Sequence, residues 1–370
     1  MTKAAIVGGG IMGLCAAWAL RRRGCAVELY EQGPLPNPLG SSVDRHRLIR
    51  YAYGAEDGYV RMVADAYAAW TALWSELGQK LYVETGTLAF DLGGDDWAVR
   101  SRASLERCRI AFALLSPEEM ARRFPHLVAE GIGEALYLPS GGVLMAERIV
   151  IALLAHLKAA GAAVHAETPV AALDPAHAGL TLADGRQVGA DVLVVAAGPW
   201  SNRLLPDLAR RMTPSRQVVT YLAPPPQHAV AWARSPMVLA IGAEHGFYAV
   251  PPAAGLGLKI GDHRFTLAGE PDRDRLAGND EAEAIAALAR ERLRDFPDYR
   301  IALAKTCFYD VTPDERFIVE PLGPKAWVMS GFSGHGFKFA PLLGQRLAGA
   351  VAGEIAPADL AAWAAGRGPS

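Results

Sequence analysis

A glycine-rich segment near the C-terminus combines residue types that could hold an electron-rich ring. It places Gly331, Gly334 and Gly336 just before Lys338. An apolar run at 326–329 predicts a buried strand before this segment, and the apolar spacing at 342–351 predicts a helix after it. The backbone N–H groups of such a strand-to-helix turn can face a ligand, and Lys338 adds a positive charge. The turn therefore suits a ring that becomes negative when it is reduced, as a flavin does.

A second glycine-rich turn occupies residues 8–13 and reads Gly-Gly-Gly-Ile-Met-Gly. It follows a short apolar strand at 4–7, precedes a helix at 14–23, and is completed by a second strand at 27–31. This is the strand–turn–helix context that the G-x-G-x-x-G dinucleotide fingerprint requires. A Gly-rich turn with no ligand is the alternative, and the context favours dinucleotide binding.

Each glycine of the fingerprint has a physical role. Gly8 allows the tight turn, Gly10 lets the backbone approach a pyrophosphate, and Gly13 lets the helix pack on the sheet. Glu31 ends the second strand, where its carboxylate can accept hydrogen bonds from ribose hydroxyls. Because an acid at this position disfavours a 2′-phosphate, the sequence favours FAD or NAD over NADP.

Segments of nucleotide-binding character recur at the start of the chain, at 190–200 and at 317–351, and strand-rich segments interrupt them. Further helices are predicted at 59–77, 146–160 and 281–293, and strands at 83–91, 164–182, 217–260 and 302–309. The predicted fold class is α/β: a doubly wound domain with an inserted, mainly antiparallel β-sheet domain. The predicted boundaries are 1–82, 141–211 and 312–370 for the first domain, and 83–140 and 212–311 for the second. A substrate pocket is expected where the two meet.

Composition limits the function classes. The chain has 370 residues, of which 51% are apolar and 21% charged, and a formal net charge of −2. This gives no electrostatic case for binding nucleic acid or an acidic membrane. The apolar run at 4–20 precedes the arginine cluster at 21–23, which is the wrong order for a signal peptide. A cytoplasmic location is therefore expected.

Four cysteines are present, at positions 15, 25, 108 and 307, and none has C-x-x-C spacing. Neither a metal site nor a dithiol motif is indicated, and a disulfide framework is not expected. Cys15 and Cys25 fall within the nucleotide unit, where they are expected to be buried as small apolar residues.

Three sets of residues are ambiguous when each is taken alone. Lys259 lies inside a strand pattern, where it is either functional or on the solvent face. Arg47 and Arg50 suit bidentate carboxylate binding, or form a surface pair. Cys307 ends an apolar strand and by itself would be a core residue.

Considered together and in order, these segments resemble the D-amino-acid-oxidase-like flavoenzymes, and within them the branch of monomeric sarcosine oxidase and N-methyltryptophan oxidase. The resemblance spans nearly the whole chain and rests on 8–13 with Glu31, 47–54, 257–263, 307–317 and 331–339. It implies a Rossmann-like FAD-binding domain of the glutathione-reductase type with the inserted substrate domain.

The resemblance also implies roles for individual residues. Cys307 matches the cysteine that bonds the flavin 8α-methyl carbon, and Lys259 matches the lysine that activates O2. Arg50 and Lys338 match the pair that holds the substrate carboxylate, and Arg47 matches an arginine near the flavin. Tyr248, Tyr309 and His263 match pocket positions. The full set of implied FAD contacts is Gly8, Gly10, Ile11, Met12, Gly13, Glu31, Gln32, Ser41, Arg47, Val170, Gly198, Cys307, Gly334, Gly336 and Lys338.

The implied activity is oxidation of a secondary or N-methyl amino acid by hydride transfer to flavin N5, which gives an imine and, with O2, H2O2. The implied partners are this small substrate and O2, and the implied state is a monomer. The thiolate of Cys307 would form the covalent link, so nearby cations are expected to lower the pKa of its thiol.

The chain departs from this branch just before Arg47. The branch usually reads His-Gly-Asp-Thr-Arg there, whereas this chain reads Val43-Asp44-Arg45-His46-Arg47. Asp262 also replaces an aromatic or neutral residue. These changes border the predicted flavin and substrate pockets, and they leave the substrate and the covalent link open.

Four alternatives to the oxidase remain. The first is a dehydrogenase that passes electrons to a quinone or a flavoprotein, and the second is a 2-hydroxy-acid dehydrogenase on the same scaffold. The third is a non-catalytic flavin-binding subunit. The fourth, an NAD dehydrogenase, is disfavoured because such enzymes have no need of the C-terminal glycine turn.

Overall fold

The computed structural model describes residues 1–243, 245–262 and 264–368. Its strands are β1 Lys3–Val7, β2 Ala26–Tyr30, β3 Arg47–Ile49, β4 Tyr82–Glu84, β5 Thr87–Asp91, β6 Ala113–Leu115, β7 Ala135–Leu138, β8 Gly142–Leu144, β9 Ala163–His165, β10 Val170–Asp174, β11 Gly179–Leu182, β12 Gln187–Gly189, β13 Val192–Val195, β14 Thr213–Ala223, β15 Met237–Ile241, β16 Phe247–Val250, β17 Leu258–Asp262, β18 Arg300–Val311, β19 Ile318–Gly323 and β20 Ala326–Ser330. Its α-helices are α1 Ile11–Arg22, α2 Asp57–Leu77, α3 Trp97–Arg107, α4 Pro117–Arg123, α5 Ala146–Ala159, α6 Ser201–Leu204, α7 Ala229–Ala233, α8 Asn279–Ala287, α9 Ala340–Val351 and α10 Pro357–Ala364.

The first layer is a six-stranded sheet in the order β19-β20-β13-β1-β2-β9, parallel except for β19. Side chains alternate between its two faces because successive strand residues point in opposite directions. Ala4 and Ile6 of β1 join the core formed with α1 and α9, whereas Ala5 and Val7 pack against the small sheet β10-β11-β12. Both faces are thus buried, as the continuous apolar runs of these strands require.

The second layer is an eight-stranded sheet in the order β18-β14-β17-β16-β15-β5-β7-β6. Every neighbouring pair is antiparallel except β15 with β5. A second small sheet, β3-β8-β4, carries Arg47 at its start. The predicted α/β fold, with its Rossmann-like FAD-binding layer and its mainly antiparallel second sheet, is confirmed.

The strands of the eight-stranded sheet all fall within 83–140 and 212–311, and those of the six-stranded sheet fall outside these segments. The predicted domain boundaries follow the same division. That these segments form two separate domains stays a prediction. All four cysteines are free, and Cys15 and Cys25 are buried as expected.

Two predicted elements differ from the structure. The helix predicted at 281–293 ends at Ala287, because the backbone beyond it pairs elsewhere: Val128 N donates to Arg292 O, and Arg294 N donates to His126 O. The strand predicted at 83–91 is divided into β4 and β5 at Gly86, whose positive φ of 79° interrupts extended backbone.

Candidate active site

The N-terminal turn has the close approach that its glycines predict. A Cβ on Gly13 would lie 1.9 Å from the carbonyl oxygen of Gly8, so α1 could not pack on β1 with any larger residue there. Ser42 Oγ accepts the N–H of Ile11 at 2.8 Å. The first-turn amides of α1 that follow have no partner within the helix and are available to an anion.

Glu31 ties the end of β2 to this turn. Its Oε2 accepts the N–H of Gly9 at 2.8 Å, and its Oε1 accepts Asn37 Nδ2 at 2.9 Å and the N–H of Gly33 at 3.1 Å. The side chain is buried. Because each carboxylate oxygen has more than one acceptor direction, the carboxylate can still accept from a ligand hydroxyl.

Asp310 stabilises the C-terminal turn by accepting hydrogen bonds from two of its amides. Asp310 Oδ2 accepts the N–H of Gly331 at 2.8 Å, and its backbone oxygen accepts the N–H of Ser333 at 3.0 Å. Within the described residues, the amides of Gly334 and Gly336 donate to no protein oxygen. Gly334 has a φ of +75°, and a Cβ there would lie 2.5 Å from the ring of Tyr309. The turn therefore presents two N–H groups that have no protein acceptor, and the rings of Tyr309 and Phe332 lie beside Gly334 and Gly336.

These two turns face one long cavity. Twelve of the fifteen residues predicted to contact FAD line it: Gly8, Gly10, Ile11, Met12, Glu31, Gln32, Ser41, Arg47, Val170, Gly198, Gly334 and Gly336. The other three, Gly13, Cys307 and Lys338, are not part of its wall. The sequence reasoning did not single out Asn37, Ser42, Trp200 and Asp310, which do line it. Trp200 falls within the 190–200 segment and Asp310 within 307–317, but no individual role was predicted for either, and Asn37 and Ser42 lie outside every segment that carried a prediction.

A second cavity adjoins the first. The two share Arg47, Tyr309, Gly334 and Phe337, so a ligand of one lies against a ligand of the other. All the described residues predicted for catalysis or substrate binding line this second cavity: Arg47, Arg50, Tyr248, Lys259, Tyr309 and Lys338. His263, also predicted there, lies outside the described residues.

Arg50 and Lys338 are two cations in the wall of this second cavity. Lys338 Nζ donates to Tyr53 OH at 2.7 Å and to the backbone oxygen of His335 at 2.9 Å. Arg50 donates to the backbone oxygen of Ala52, and its guanidinium lies 4.6 Å from the centre of the Tyr53 ring. Neither cation forms an ion pair with any acid in the described part of the chain. Burial, and then the charge of Arg50, hold the pKa of Lys338 well below its usual range.

Lys259 is positioned differently, because it does have a counter-ion. Its Nζ lies 2.6 Å from Asp44 Oδ2, and both side chains are almost fully buried. Burial lowers the pKa of Lys259, and Asp44 opposes that shift. The solvent-face interpretation, which Lys259 taken alone would favour, is therefore wrong, because the residue is 2% exposed. Its catalytic role stays a prediction.

Cys307 lies beside Arg47, whose Nη2 is 3.6 Å from the sulfur. The expected lowering of the pKa of its thiol is wrong: desolvation raises this pKa and outweighs the opposing effect of Arg47. The cation is in the expected place, but the surrounding protein leaves the thiolate poorly solvated.

The other charged groups of the site add no metal centre. Across 1–243, 245–262 and 264–368, no three His, Cys, Asp or Glu side chains are arranged to hold a metal ion. Asp262, which the sequence analysis noted as unusual, lines the second cavity.

In the described chain, no helix is both long and apolar enough to cross a bilayer.

Comparison with known proteins places the chain in a family. It matches the FAD dependent oxidoreductase family over residues 3–350, and it belongs to that family. Human peroxisomal sarcosine oxidase is 32% identical over 99% of this chain and 96% of its own length. Monomeric sarcosine oxidase of Bacillus sp. strain NS-129 is 29% identical, with 93% and 91% covered. N-methyl-L-tryptophan oxidase of Yersinia pestis strain Pestoides F is 27% identical, with 98% of both chains covered.

Among solved structures, the open form of NikD, an amino acid oxidase essential for nikkomycin biosynthesis, has a TM-score of 0.82. It is 22% identical and covers 100% of this chain and 98% of its own, so it supports the fold. The predicted resemblance and the prediction of an FAD-dependent oxidoreductase are thus confirmed.

The residues of the first cavity fit FAD. Its wall carries amides of the two glycine turns and the Glu31 carboxylate, which lies beside the N-terminal turn. Amides suit a pyrophosphate and an electron-rich ring, and a carboxylate suits ribose hydroxyls. When bound, FAD would supply a hydride acceptor to the neighbouring cavity.

Proposed function

We propose that this protein oxidises the CH–NH bond of a secondary or N-methyl amino acid, giving an imine, with O2 as acceptor and H2O2 as the second product. The single observation that carries this proposal is the pair of cations, Arg50 and Lys338, which form no ion pair with a described acid and line the cavity that adjoins the dinucleotide cavity. The names of the relatives, which are oxidases of sarcosine and N-methyl-L-tryptophan, support the same substrate class.

The two cations define how an amino acid would bind. A carboxylate is the ligand that a guanidinium and an ammonium hold most strongly, through charge-assisted hydrogen bonds. With its carboxylate held by Arg50 and Lys338, a small amino acid extends its amine toward Arg47, Tyr309 and Gly334, which the two cavities share. Such fixation orients the reacting C–H bond and supplies much of the rate enhancement.

The two tyrosines of this cavity do not serve as bases. Tyr248 and Tyr309 line it as neutral phenols, because burial raises the pKa of each. No protein base is required if the substrate binds as the neutral amine, because its nitrogen lone pair stabilises the developing iminium. We assign Lys259 to the reaction with O2 and Cys307 to covalent attachment of FAD. The monomeric state and the cytoplasmic location stay predictions.

The test is a panel of amines under argon, read by loss of the oxidised-flavin absorbance. Sarcosine, N-methyltryptophan and proline are compared with matched amines that lack the carboxylate and with 2-hydroxy acids. Bleaching by the N-substituted amino acids alone is the expected result. Bleaching by 2-hydroxy acids instead would replace the proposed substrate class, and no bleaching by any compound would leave a non-catalytic flavoprotein.

A dehydrogenase is the second candidate function, and one observation favours it. The positive charge of Lys259, the residue assigned to O2, is offset in part by the carboxylate of Asp44 at 2.6 Å. Reoxidation of the reduced protein by air-saturated buffer, compared with reoxidation by a quinone, decides between the two acceptors.

A further inference from the structure

Asp44 is the centre of a buried charge cluster. Its Oδ2 lies 2.6 Å from Lys259 Nζ and also accepts from Arg47, and its Oδ1 accepts Tyr221 OH at 2.6 Å and the N–H of Arg45 at 2.8 Å. The residue is 4% exposed. A carboxylate removed from water is stable only when it is paired and fully hydrogen-bonded, and Asp44 meets both conditions.

The same contacts fix Lys259. An ammonium has three N–H donors. One donates to Asp44 Oδ2 and a second to the backbone oxygen of His46 at 3.2 Å. Because Lys259 lines the second cavity, the third donor is the one left for that space.

We propose that Asp44 is the positioning residue for Lys259: the buried ion pair orients the ammonium so that its remaining N–H faces the cavity, and it keeps that ammonium charged. The inference rests on the proposed function only in that Lys259 acts on the electron acceptor. Asp44 itself lines neither cavity, so it acts through Lys259.

The charge balance explains why Asp44 is needed. Arg47, which is partly buried, and Lys259, which is almost fully buried, share one carboxylate oxygen. Without Asp44 their mutual repulsion and desolvation would act unopposed, and the group that gives up a proton would be the lysine, because guanidinium is the stronger base. In agreement, burial and Arg47 lower the pKa of Lys259, and Asp44 is the main influence that raises it.

Other titratable groups also face Lys259. They are His46 and Arg47 from the segment that carries Asp44, Tyr221 of β14, Tyr248 of β16 and Cys307 of β18. Tyr309 of β18 lies beside Tyr248 and Cys307. Burial holds the tyrosines neutral and lowers the pKa of His46 to about 3. Among these groups Asp44 is thus the negative charge that supports Lys259 near neutral pH.

The test uses Asp44→Asn in the FAD-loaded full chain, reduced with dithionite so that no amino acid is required. The rate of reoxidation by O2 should fall as pH rises through the pKa of Lys259. In Asp44→Asn this decline should move to lower pH by about one to three units. Lys259→Met should show no such decline. The matched control is Glu56→Gln. Glu56 lines the same cavity, but its carboxylate pairs with Arg316 and not with Lys259. In this variant the reoxidation rate should decline over the same pH range as in the wild type.

A second readout is independent of O2. Sulfite is an anion whose affinity for oxidised flavin depends on nearby positive charge. In Asp44→Asn the affinity for sulfite, relative to that of the wild type, should fall over the pH range in which the reoxidation rate of this variant declines. An unchanged pH dependence in both readouts would overturn the proposal.

Asp44→Glu keeps the charge but lengthens the side chain, so it tests position separately and decides the matter if Asp44→Asn does not fold. In this variant the reoxidation rate should still decline near the wild-type pH. Its maximal value should fall about tenfold or more, because the ammonium is displaced. A maximal rate equal to that of the wild type would overturn the positioning role. Since dithionite replaces the substrate, these results do not depend on which amino acid, if any, bleaches the flavin.

Discussion

The ammonium of Lys338 donates to the phenol oxygen of Tyr53 at 2.7 Å. Burial raises the pKa of Tyr53, so this partner is a neutral dipole and leaves the positive charge uncompensated. The Tyr53 ring also lies under the guanidinium of Arg50, which brings both cations to one aromatic residue. A neutral support that orients two cations without neutralising them is the arrangement that an anion receptor requires.

Replacement of either cation should therefore weaken substrate binding more than turnover. For Arg50→Met and for Lys338→Met we expect KM for a carboxylated substrate to rise about 10- to 100-fold, the value of a charge-assisted hydrogen bond of about 1.5–3 kcal/mol. Steady-state kinetics measure this. An amine substrate without a carboxylate is the control, and an equal rise in its KM would show that the cations do not bind the carboxylate.

Replacement of Lys259 should affect the oxidative half-reaction and leave the reductive half-reaction nearly unchanged. In Lys259→Met we expect reoxidation of the reduced flavin by O2 to slow by orders of magnitude, because the positive charge that would stabilise superoxide is lost. Anaerobic reduction by substrate should change little. Stopped-flow measurements follow each half-reaction separately, and equal effects on both would remove the assigned role.

The pH dependence of kcat/KM should have two limbs. On the acid side it should rise with pH as the substrate ammonium loses its proton and becomes the reactive amine. On the basic side it should fall, because Lys338 is needed as a cation and its pKa lies well below the usual lysine value. The sign follows from kcat/KM reporting the free enzyme and the free substrate.

Lys338→Met provides the check on this assignment. The rising limb should persist in the variant, since it belongs to the substrate, and the falling limb should disappear. A flat wild-type profile from about pH 6 to about pH 10 would contradict both assignments.

Covalent attachment of FAD should depend on Cys307 and speed up with pH. Because desolvation raises the pKa of this thiol above its usual value, the thiolate is scarce at neutral pH and its fraction grows through the alkaline range. Apoprotein mixed with FAD should retain colour after acid precipitation, faster at higher pH. Cys307→Ser should give a colourless pellet, and a colourless wild-type pellet at every pH would refute the linkage while leaving the oxidoreductase intact.

The parts of the site that could be predicted are those with local signals. Both glycine turns require particular backbone geometry, and Gly13 and Gly334 have neighbours that leave no room for a side chain. Such constraints act over a few residues and are visible in the sequence. The helix predicted at 281–293 fails for the opposite reason, since its last turns are replaced by pairing with residues 126–128, which no local pattern reveals.

The supporting residues could not be predicted because their partners are distant in the chain. Asp44 meets Lys259 across 215 positions, and Tyr53 meets Lys338 across 285. The sequence showed that the stretch before Arg47 was unusual, yet it could not show that Asp44 points at Lys259. Likewise the cation beside Cys307 was expected, but the desolvation that outweighs it depends on the folded surroundings.

Asp310, which supports the C-terminal turn, should leave a pH signature on stability. Burial raises its pKa from 3.8 to about 6, despite hydrogen bonds from Gly331 N and Ser330 Oγ. Between these two values the folded state holds a proton that the unfolded state has released, so the free energy of unfolding falls as pH rises through this range. At 1.36 kcal/mol per unit the contribution is at most about 3 kcal/mol.

Asp310→Asn should remove this pH dependence, because an amide cannot titrate but can still accept the N–H of Gly331. Denaturant unfolding of both proteins across about pH 4 to about pH 7 measures it. The wild type should lose stability relative to Asp310→Asn as pH rises, and then remain level once the carboxyl is ionised in both states. A difference that is constant over this range would mean that Asp310 is already ionised at its lower end, and that the Gly331 turn rests on a carboxylate throughout.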